Sequence, residues 1–308
     1  MRASLQKPKE KRGMKSFFSI FGDPSVTSVA IGKFDGMHLA HQRLFSYLDE
    51  GGAILTVDAQ RGNLTPGEYK REFTPFPLYS IPLGKIKHLS GERFIYMLKK
   101  AFPNLTKVVV GYDFRFGKNR AFGVEELRGY FAGEVVVVPE VFHRGHSVHS
   151  EAIRELIAQG EMNLAGELLG RDYFIEGRVV RGNGLGSSAL FATINLEVES
   201  FLIPLEGVYA TKTKVGERCF GSVSFVGKRL SVDNLFSIET HLLGVSPHAI
   251  PKTEVARIYF LERLRENRRF AELSSLKAQI SEDIGRAEQI HAKTFMECMN
   301  LQGGRDEG

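Results

Sequence analysis

The sequence contains few cysteines and no long apolar run, and both features narrow the class of protein. Its two cysteines, Cys219 and Cys298, lie far apart and form no C-x-x-C pattern, which argues against a disulfide framework and a cysteine metal site. No apolar run approaches the roughly 20 residues that span a bilayer. The short apolar run at residues 17–21 ends before Asp23, so we expect neither a membrane segment nor a secretory signal. These absences favour a cytoplasmic protein.

The formal net charge of +5 is concentrated at the start of the chain. Residues 1–16 contain six Lys and Arg side chains against one Glu, which accounts for the whole excess, so the rest of the chain is balanced. We therefore predict a neutral globular body behind a basic, disordered tail at residues 1–16. The tail could contact RNA or acidic lipids, or Met14 could be the true start. The balanced body argues against nucleic acid as the main partner.

The first half of the 308-residue chain alternates between apolar runs and helical patterns, and it is long enough for its own core. Predicted strands at 28–31, 53–57, 107–111 and 134–139 are interspersed with predicted helices at 91–100 and 125–131. This order predicts an α/β domain with a doubly wound parallel sheet that binds ligands at the carboxyl ends of its strands. Residues 60–85 are rich in Pro, Gly and Tyr without a period, which predicts a long loop over the site.

The second half changes to short β-rich runs divided by glycine-containing turns. These runs, at 173–180, 207–215, 219–226 and 235–243, predict a small antiparallel β-barrel. The apolar spacing from Leu273 to Ile290 predicts an amphipathic C-terminal helix. We therefore predict domains at residues 17–165 and 170–300.

Two histidines lie where the first predicted strand turns into a helix, in the segment Gly32 to His41. His38 and His41 are three residues apart, so they share a face of a first helical turn, where free backbone N–H groups favour an anion. Two imidazoles there could stabilise charge on the α-phosphorus of a triphosphate. The pair could instead be an accidental surface pair or half of a zinc site, but no glutamate stands next to either histidine.

Two further segments combine glycines, aromatics and cations. Gly111 to Arg120 suits an aromatic nucleotide that carries phosphate, although a glycine-rich turn with a solvated basic tip has the same composition. Ser150 to Arg154 opens a helical pattern, with Ser150 as the predicted N-cap and Arg154 one turn further on.

These segments resemble motifs of the nucleotidylyltransferase superfamily and, more closely, of the bacterial bifunctional riboflavin kinase/FAD synthetase family. The first motif, G-x-F-D-G-x-H-x-G-H, is matched except at Ala40, and the second, G-x-D-F-x-F-G, is matched at residues 111–117. In the third, S-S-T-x-I-R, His149 and Glu151 replace Ser and Thr, and the carboxylate would repel a triphosphate. The resemblance implies that His38 and His41 are catalytic. It also implies ATP contacts from Gly32, Phe34, Asp35, Gly36, Ser150 and Arg154, and flavin contacts from Asp113, Phe114, Arg115 and Phe116.

The predicted barrel resembles the riboflavin kinase module of the same family. The family's P-T-A-N tetrad reads Ala192-Thr193-Ile194-Asn195 here, and its E-x-H-L-L motif begins at Glu239. The resemblance implies that Thr193 and Asn195 ligate Mg²⁺, that Glu239 is the catalytic base, and that Gly182 and Gly184 of a glycine-rich loop contact ATP. Without the resemblance, we would interpret Glu239 as an outward-facing carboxylate of a half-buried strand. Other departures are Leu190 for Gly, Leu230-Ser231 for Pro-Thr and Gly244 for Asp.

The expected function is therefore flavin cofactor synthesis in two steps. Riboflavin would be phosphorylated by MgATP to FMN, and FMN would be adenylylated by a second ATP to FAD with release of pyrophosphate. The alternatives are an FMN adenylyltransferase with an impaired kinase half, and a non-enzymatic flavin-, nucleotide- or RNA-binding protein. The sequence leaves the oligomeric state and the domain orientation open.

Overall fold

The computed structural model describes residues 14–17, 22–59, 63–180, 193–231 and 233–303. The chain divides into two compact units, Met1–Phe142 and His143–Gly308. The predicted functional domains, residues 17–165 and 170–300, stay a prediction, because a division into compact units does not show which residues form one active site.

The first unit contains the predicted doubly wound parallel sheet. Its six strands are β1 (Lys15–Ser16), β2 (Ser28–Gly32), β3 (Gly52–Asp58), β4 (Leu78–Pro82), β5 (Lys107–Gly111) and β6 (Glu134–Val138). They pair in the order β1-β4-β3-β2-β5-β6, and every pair is parallel. Its helices are α1 (Leu39–Phe45), α2 (Leu83–Ile86), α3 (Gly91–Ala101) and α4 (Val124–Tyr130).

Both faces of the sheet are buried, as the continuous apolar runs predicted. Because successive side chains of a strand point to opposite faces, Val108 and Val110 join the core that includes helix α3, whereas Val109 joins the core that includes Leu44 and Phe45 of α1. Helices therefore cover both faces, which confirms the doubly wound class.

Two predictions about the first unit were wrong. Residues 15 and 16 belong to β1, which pairs with β4, and not to a disordered tail; residues 1–13 lie outside the described part. Residues 60–85 are not simply a long loop. They contain a 3₁₀ helix at Gly67–Phe73 as well as β4 and α2, and β4 contributes the fully buried Ile81 to the core.

The second unit contains a closed antiparallel barrel, as predicted. Its strands are β9 (Tyr173–Val180), β10 (Thr193–Glu197), β11 (Gly207–Val215), β12 (Arg218–Lys228), β13 (Phe236–Leu242) and β14 (Val255–Arg265), closed in the order β10-β13-β12-β11-β14-β9. A short ribbon of β7 (Phe142–His143) and β8 (His146–Ser147) precedes α5 (Ser150–Gln159) and α6 (Met162–Leu169). The last helix, α7 (Leu273–Gly303), confirms the predicted C-terminal helix.

The barrel interior contains a set of hydroxyl groups that bond to one another. These fully buried residues are Thr211, Thr213, Ser222, Ser224 and Thr240, and their hydroxyl oxygens lie 2.8–2.9 Å apart. Each buried hydroxyl therefore has a partner, which offsets the cost of removing it from water. Thr240 belongs to this set and points inward, so its neighbours Glu239 and His241 point outward from the barrel.

Helix α7 packs on the outer face of the barrel. Its Ala287 and Ile290 join a core with Val208 and Leu264. The carboxylate of Asp283, which is 2% exposed, accepts hydrogen bonds from Nε and Nη2 of Arg265 on β14 at 2.9–3.0 Å. A buried bidentate pair of this kind fixes the register of the helix on the barrel.

Candidate functional site

The first two motifs follow neighbouring parallel strands of the first unit. The histidine motif follows β2, and the aromatic motif follows β5, which pairs directly with β2. The chain proceeds from β2 to β3 on one side and returns to β5 on the other, so the order of the sheet reverses between β2 and β5. Ligands of open α/β sheets bind at this reversal, outside the carboxyl ends of the strands. The two motifs therefore border the expected binding crevice.

The two histidines meet face to face. His38 is the N-cap residue of α1, and His41 is the third residue of that helix. Their rings stack with centroids 3.5 Å apart and planes 19° apart. The ring of Phe34, which is 1% exposed, contacts the ring of His41 edge-on at 5.1 Å and also packs against Phe45. The side chain of Phe34 thus supports His41 from the core.

The loop before His38 has an unusual backbone. Phe34, Gly36 and Met37 have φ of 50°, 90° and 45°. Non-glycine residues with positive φ are uncommon and concentrate at functional sites. A Cβ at Gly32 would lie 2.9 Å from the Phe34 ring, so a side chain there would displace the ring. The glycines of the motif are therefore required by the conformation that presents His38.

Asp35 is buried and holds a neighbouring segment. Its carboxylate accepts hydrogen bonds from the backbone N–H groups of Asn63, Leu64 and Thr65 at 3.1–3.2 Å. Gln42 makes a second tie, because its side-chain amide donates to the carbonyl oxygens of Met37 and Phe73. The segment from residue 63 to residue 73 is thereby fixed against the histidine motif.

The aromatic motif after β5 is partly a core element. Phe116 is 6% exposed and packs among Phe94 and Phe122, and the ring of the half-buried Phe114 stacks on it at 5.5 Å. Asp113 and Arg115 are exposed. Of the four predicted flavin contacts, these two polar side chains and the face of Phe114 remain available to a ligand.

The third motif belongs to the second unit. We predicted Ser150 as the N-cap of α5, and this was wrong. The N-cap is His149, whose Nδ1 accepts a hydrogen bond from the backbone N–H of Ala152 at 3.1 Å. His149, which stands where the family motif has Ser, thus caps this helix. Nη1 of Arg154 lies 2.9 Å from the carboxylate of Glu151, so the predicted phosphate ligand has an acidic partner.

The predicted kinase residues converge on the outer face of the barrel. Asn195 of β10 stands directly opposite Glu239 of β13, and Thr193 stands opposite His241. Side chains at directly opposite positions project from the same face with Cβ atoms roughly 5 Å apart. Gly182 and Gly184 lie outside the described residues. Ile194 points into the barrel and is 4% exposed, so this departure from the family changes interior packing and not the polar face.

A pocket of about 230 Å³ lies between this face and helix α7. Its apolar walls are Val208, Val223 and Phe225 of the barrel and Leu276, Ile280 and Ile284 of α7. Thr193 and Glu239 lie at the pocket together with Arg268 and Phe270, and the Arg268 guanidinium lies 4.8 Å from the Phe270 ring centroid. An apolar slot with a few polar groups suits a flat aromatic ligand.

The polar donors of the kinase face suit a hard cation in chemical type. Thr193 and Asn195 offer a hydroxyl and an amide oxygen two residues apart on one face, and oxygen ligands are those that Mg²⁺ prefers. Among the described residues, no group of three or more His, Cys, Asp or Glu side chains could hold a metal ion. A cation here would therefore depend on oxygens of a bound nucleotide as well.

Sequence reasoning missed three features of these sites. Lys70, inside the stretch without periodicity, is a buried cation of the first unit. Arg229 and Phe270 border the kinase pocket. The pocket could not be anticipated, because part of its wall comes from α7, which is distant along the chain.

Comparisons with known proteins agree with this geometry. A riboflavin kinase (flavokinase) family model matches residues 169–291, which include the barrel and most of the pocket wall. The bifunctional riboflavin kinase/FMN adenylyltransferase of Listeria monocytogenes is 30% identical over 284 residues, which cover 83% of this chain and 89% of that protein. This chain belongs to the bifunctional riboflavin kinase/FMN adenylyltransferase family. The enzyme of the same name from Haemophilus influenzae is 29% identical over 287 residues, covering 83% of this chain and 92% of that protein.

A solved structure extends the match to the fold of both units. The crystal structure of a macrolide-efflux protein from Streptococcus pneumoniae aligns with a TM-score of 0.77 and 26% identity, covering 89% of this chain and 97% of that chain. Within the described ranges of this family member, no helix is long and apolar enough to cross a membrane.

Proposed function

We propose that this family member performs both steps of FAD synthesis, at two separate sites. The site on the barrel converts riboflavin and ATP into FMN and ADP, and the site at the histidine motif converts FMN and ATP into FAD and pyrophosphate. The observation that carries the proposal is the convergence of polar motif residues at two separate sites. His38 and His41 stack beside the reversal of the parallel sheet, and Asn195 faces Glu239 on the barrel.

At the first site an FMN phosphate oxygen attacks the α-phosphorus of ATP, and the bond to the β-phosphate oxygen breaks to release pyrophosphate. His38 and His41 stabilise the negative charge that grows on the phosphoryl oxygens. The displacement needs no protein nucleophile. The exposed Arg115 and Asp113 follow the adjacent strand, and we expect them to contact FMN.

At the second site Glu239 accepts the proton of the riboflavin 5′-hydroxyl while that oxygen attacks the γ-phosphorus of ATP, and ADP leaves. The apolar pocket between the barrel and α7 holds the flavin ring. Thr193 and Asn195 would hold the Mg²⁺ of MgATP, which would neutralise charge on the transferred phosphate. Two departures from the family pattern leave the polar residues of this site in place. Ile194 points away from the site, and Gly244 occupies a turn with a φ of 67° that glycine adopts readily.

The test is a chromatographic time course with two variants. Wild-type protein should form FMN and then FAD from riboflavin and MgATP, and FAD from FMN and MgATP. His38→Ala should abolish FAD formation and leave FMN formation intact, whereas Glu239→Gln should do the reverse. An unchanged FAD rate in His38→Ala, or an unchanged FMN rate in Glu239→Gln, would refute the corresponding half of the proposal.

A further inference from the structure

Lys70 is a buried lysine at the edge of the adenylylation site. It lies in the 3₁₀ helix Gly67–Phe73, and only 8% of its surface is exposed. Lysine is almost never buried to this extent unless it is paired, because its ammonium group loses its hydration. The position of Lys70 therefore requires an explanation.

The described residues do not supply a direct partner for the ammonium group. Within the ranges that the structure describes, Lys70 Nζ has no hydrogen bond and no ion pair within 4.0 Å. The carboxylates of Asp35 and Asp58 attract it at longer range, but burial has the larger effect, and the pKa of Lys70 is lowered. Asp35 is also engaged by three backbone N–H groups.

These two carboxylates place Lys70 at the carboxyl edge of the sheet. Asp58 is the last residue of β3, and Asp35 lies in the loop after β2, three residues before His38. The segment that carries Lys70 is held against the histidine motif at both ends, by Asp35 at residues 63–65 and by Gln42 at Phe73. Lys70 is thus fixed on the side of the sheet where the triphosphate of ATP is expected.

A triphosphate is a partner that would satisfy this cation. The reaction needs positive charge near the departing pyrophosphate, and a fixed ammonium group in a poorly hydrated site supplies it without reorganisation. Arg154, the cation that the family motif supplies, is paired with Glu151 in this chain. The first unit therefore gains a phosphate-binding cation that lies outside the family motifs.

We propose that Lys70 binds a phosphate of the adenylyl donor ATP and remains with the pyrophosphate as it leaves. This inference rests on the proposed adenylyltransferase function. A lysine that is buried this deeply without a direct ion pair carries a cost in stability, and such local violations of folding rules are expected at functional sites. Binding of ATP would give the ammonium group the partner that the protein does not provide.

The test compares Lys70→Met with Lys70→Arg and with Lys85→Met, which removes an exposed lysine of α2 in the same unit. The KM for ATP is measured in FAD formation from FMN, and the KM for pyrophosphate in the reverse reaction from FAD. Lys70→Met should raise both values at least tenfold. Lys70→Arg should stay within a few-fold of wild type, and Lys85→Met should change neither. The rate of riboflavin phosphorylation in the other unit is the internal control and should be unchanged.

Equal KM values in Lys70→Met and Lys85→Met would overturn the inference. If wild-type protein forms no FAD from FMN, the proposed function fails, and calorimetric titration with pyrophosphate then tests Lys70 separately. Weaker pyrophosphate binding in Lys70→Met than in wild type would support the role of Lys70 as an anion ligand, and identical binding would refute it.

Discussion

Arg229 and Glu239 meet at a single carboxylate oxygen. Nη1 of Arg229 lies 3.5 Å from Oε1 of Glu239, and the hydroxyl of Ser237 donates to the same oxygen at 3.0 Å. The other side of the Arg229 guanidinium is held by Asp233, which accepts hydrogen bonds from Nε and Nη2 at 3.1 and 2.6 Å. Oε1 is thereby occupied by the protein, so Oε2 is the oxygen that we expect to face the riboflavin hydroxyl.

Asp233→Asn should lower the kcat of riboflavin phosphorylation about tenfold with little change in the KM values. Asp233 does not line the pocket, so it acts by fixing Arg229 and, through it, the catalytic carboxylate. A displacement of a catalytic group by about 1 Å can cost on the order of 100-fold in rate. Because Asp233→Asn only loosens the position of Arg229, we expect the smaller, tenfold loss. The matched control is Asp172→Asn, because Asp172 pairs with Lys212 of the same unit. A rise in KM without a loss of kcat would contradict the positioning role, and Asp233→Glu should restore part of the rate.

Glu151→Thr should improve the adenylylation step. The substitution restores the family residue and removes the carboxylate that lies 2.9 Å from Nη1 of Arg154. Arg154 would then have its full charge available for the phosphates of ATP, so we expect the KM for ATP in FAD formation to fall about two- to fivefold. A surface ion pair contributes at most about 1 kcal/mol, which corresponds to about a fivefold change in affinity for ATP. An unchanged KM in steady-state assays would remove Arg154 from the proposed site.

Arg265→Met should destabilise the second unit strongly. Arg265 and Asp283 form a bidentate pair in which the carboxylate is 2% exposed, and the substitution leaves that carboxylate buried without its cation. Breaking a buried pair from one side costs about 3–5 kcal/mol. The change should appear as a lower urea midpoint. The double variant Arg265→Met with Asp283→Leu should recover much of the loss, because it removes the stranded charge; equal instability of both variants would show that the pair contributes mainly by packing.

The sequence predicted those features that depend on local periodicity. Four strands of the sheet and four strands of the barrel were predicted close to their observed limits, and the last helix was predicted with its observed start at Leu273. The adjacency of the two first-unit motifs followed from the alternation of strands and helices, because parallel strands place the segments that follow them at one edge. The pairing of Asn195 with Glu239 was not predictable, since β10 is only five residues long and its register on β13 depends on barrel closure.

Features that depend on tertiary contacts were missed or misread. β14 is interrupted by register shifts opposite β11, so its alternation is broken and its charged residues obscure the strand pattern. β4 was assigned to a loop because it is short and bounded by prolines, and only its pairing with β3 and β1 defines it. No sequence pattern indicated that Lys70 is buried, because its burial results from hydrogen bonds that Asp35 and Gln42 make to a segment distant along the chain.

Lys70 should make stability depend on alkaline pH. Its pKa is lowered by burial from its usual value of 10.5, so between the two values the unfolded chain binds more protons than the folded protein. Stability therefore rises with pH through this window. Below the folded pKa both states are protonated, and the whole cost of burying the charge applies; above 10.5 the cost disappears. Lys70→Met should accordingly stabilise the first unit near pH 7, by about 1–3 kcal/mol, and by progressively less as the pH approaches 10.

Urea unfolding of Lys70→Met, Lys85→Met and wild type at several pH values between 7 and 10 measures this difference. Lys85→Met removes an exposed charge and should give a small difference without this trend. Added pyrophosphate should reverse the order at pH 7, since a ligand that binds only the folded state stabilises wild type more than a variant that binds it weakly. A Lys70→Met variant that is less stable than wild type at pH 7 without ligand would show that the aspartates already compensate the charge. Lys70 would then be a structural counterion of the two aspartates, and the prediction that its burial costs stability in the absence of a ligand would be wrong.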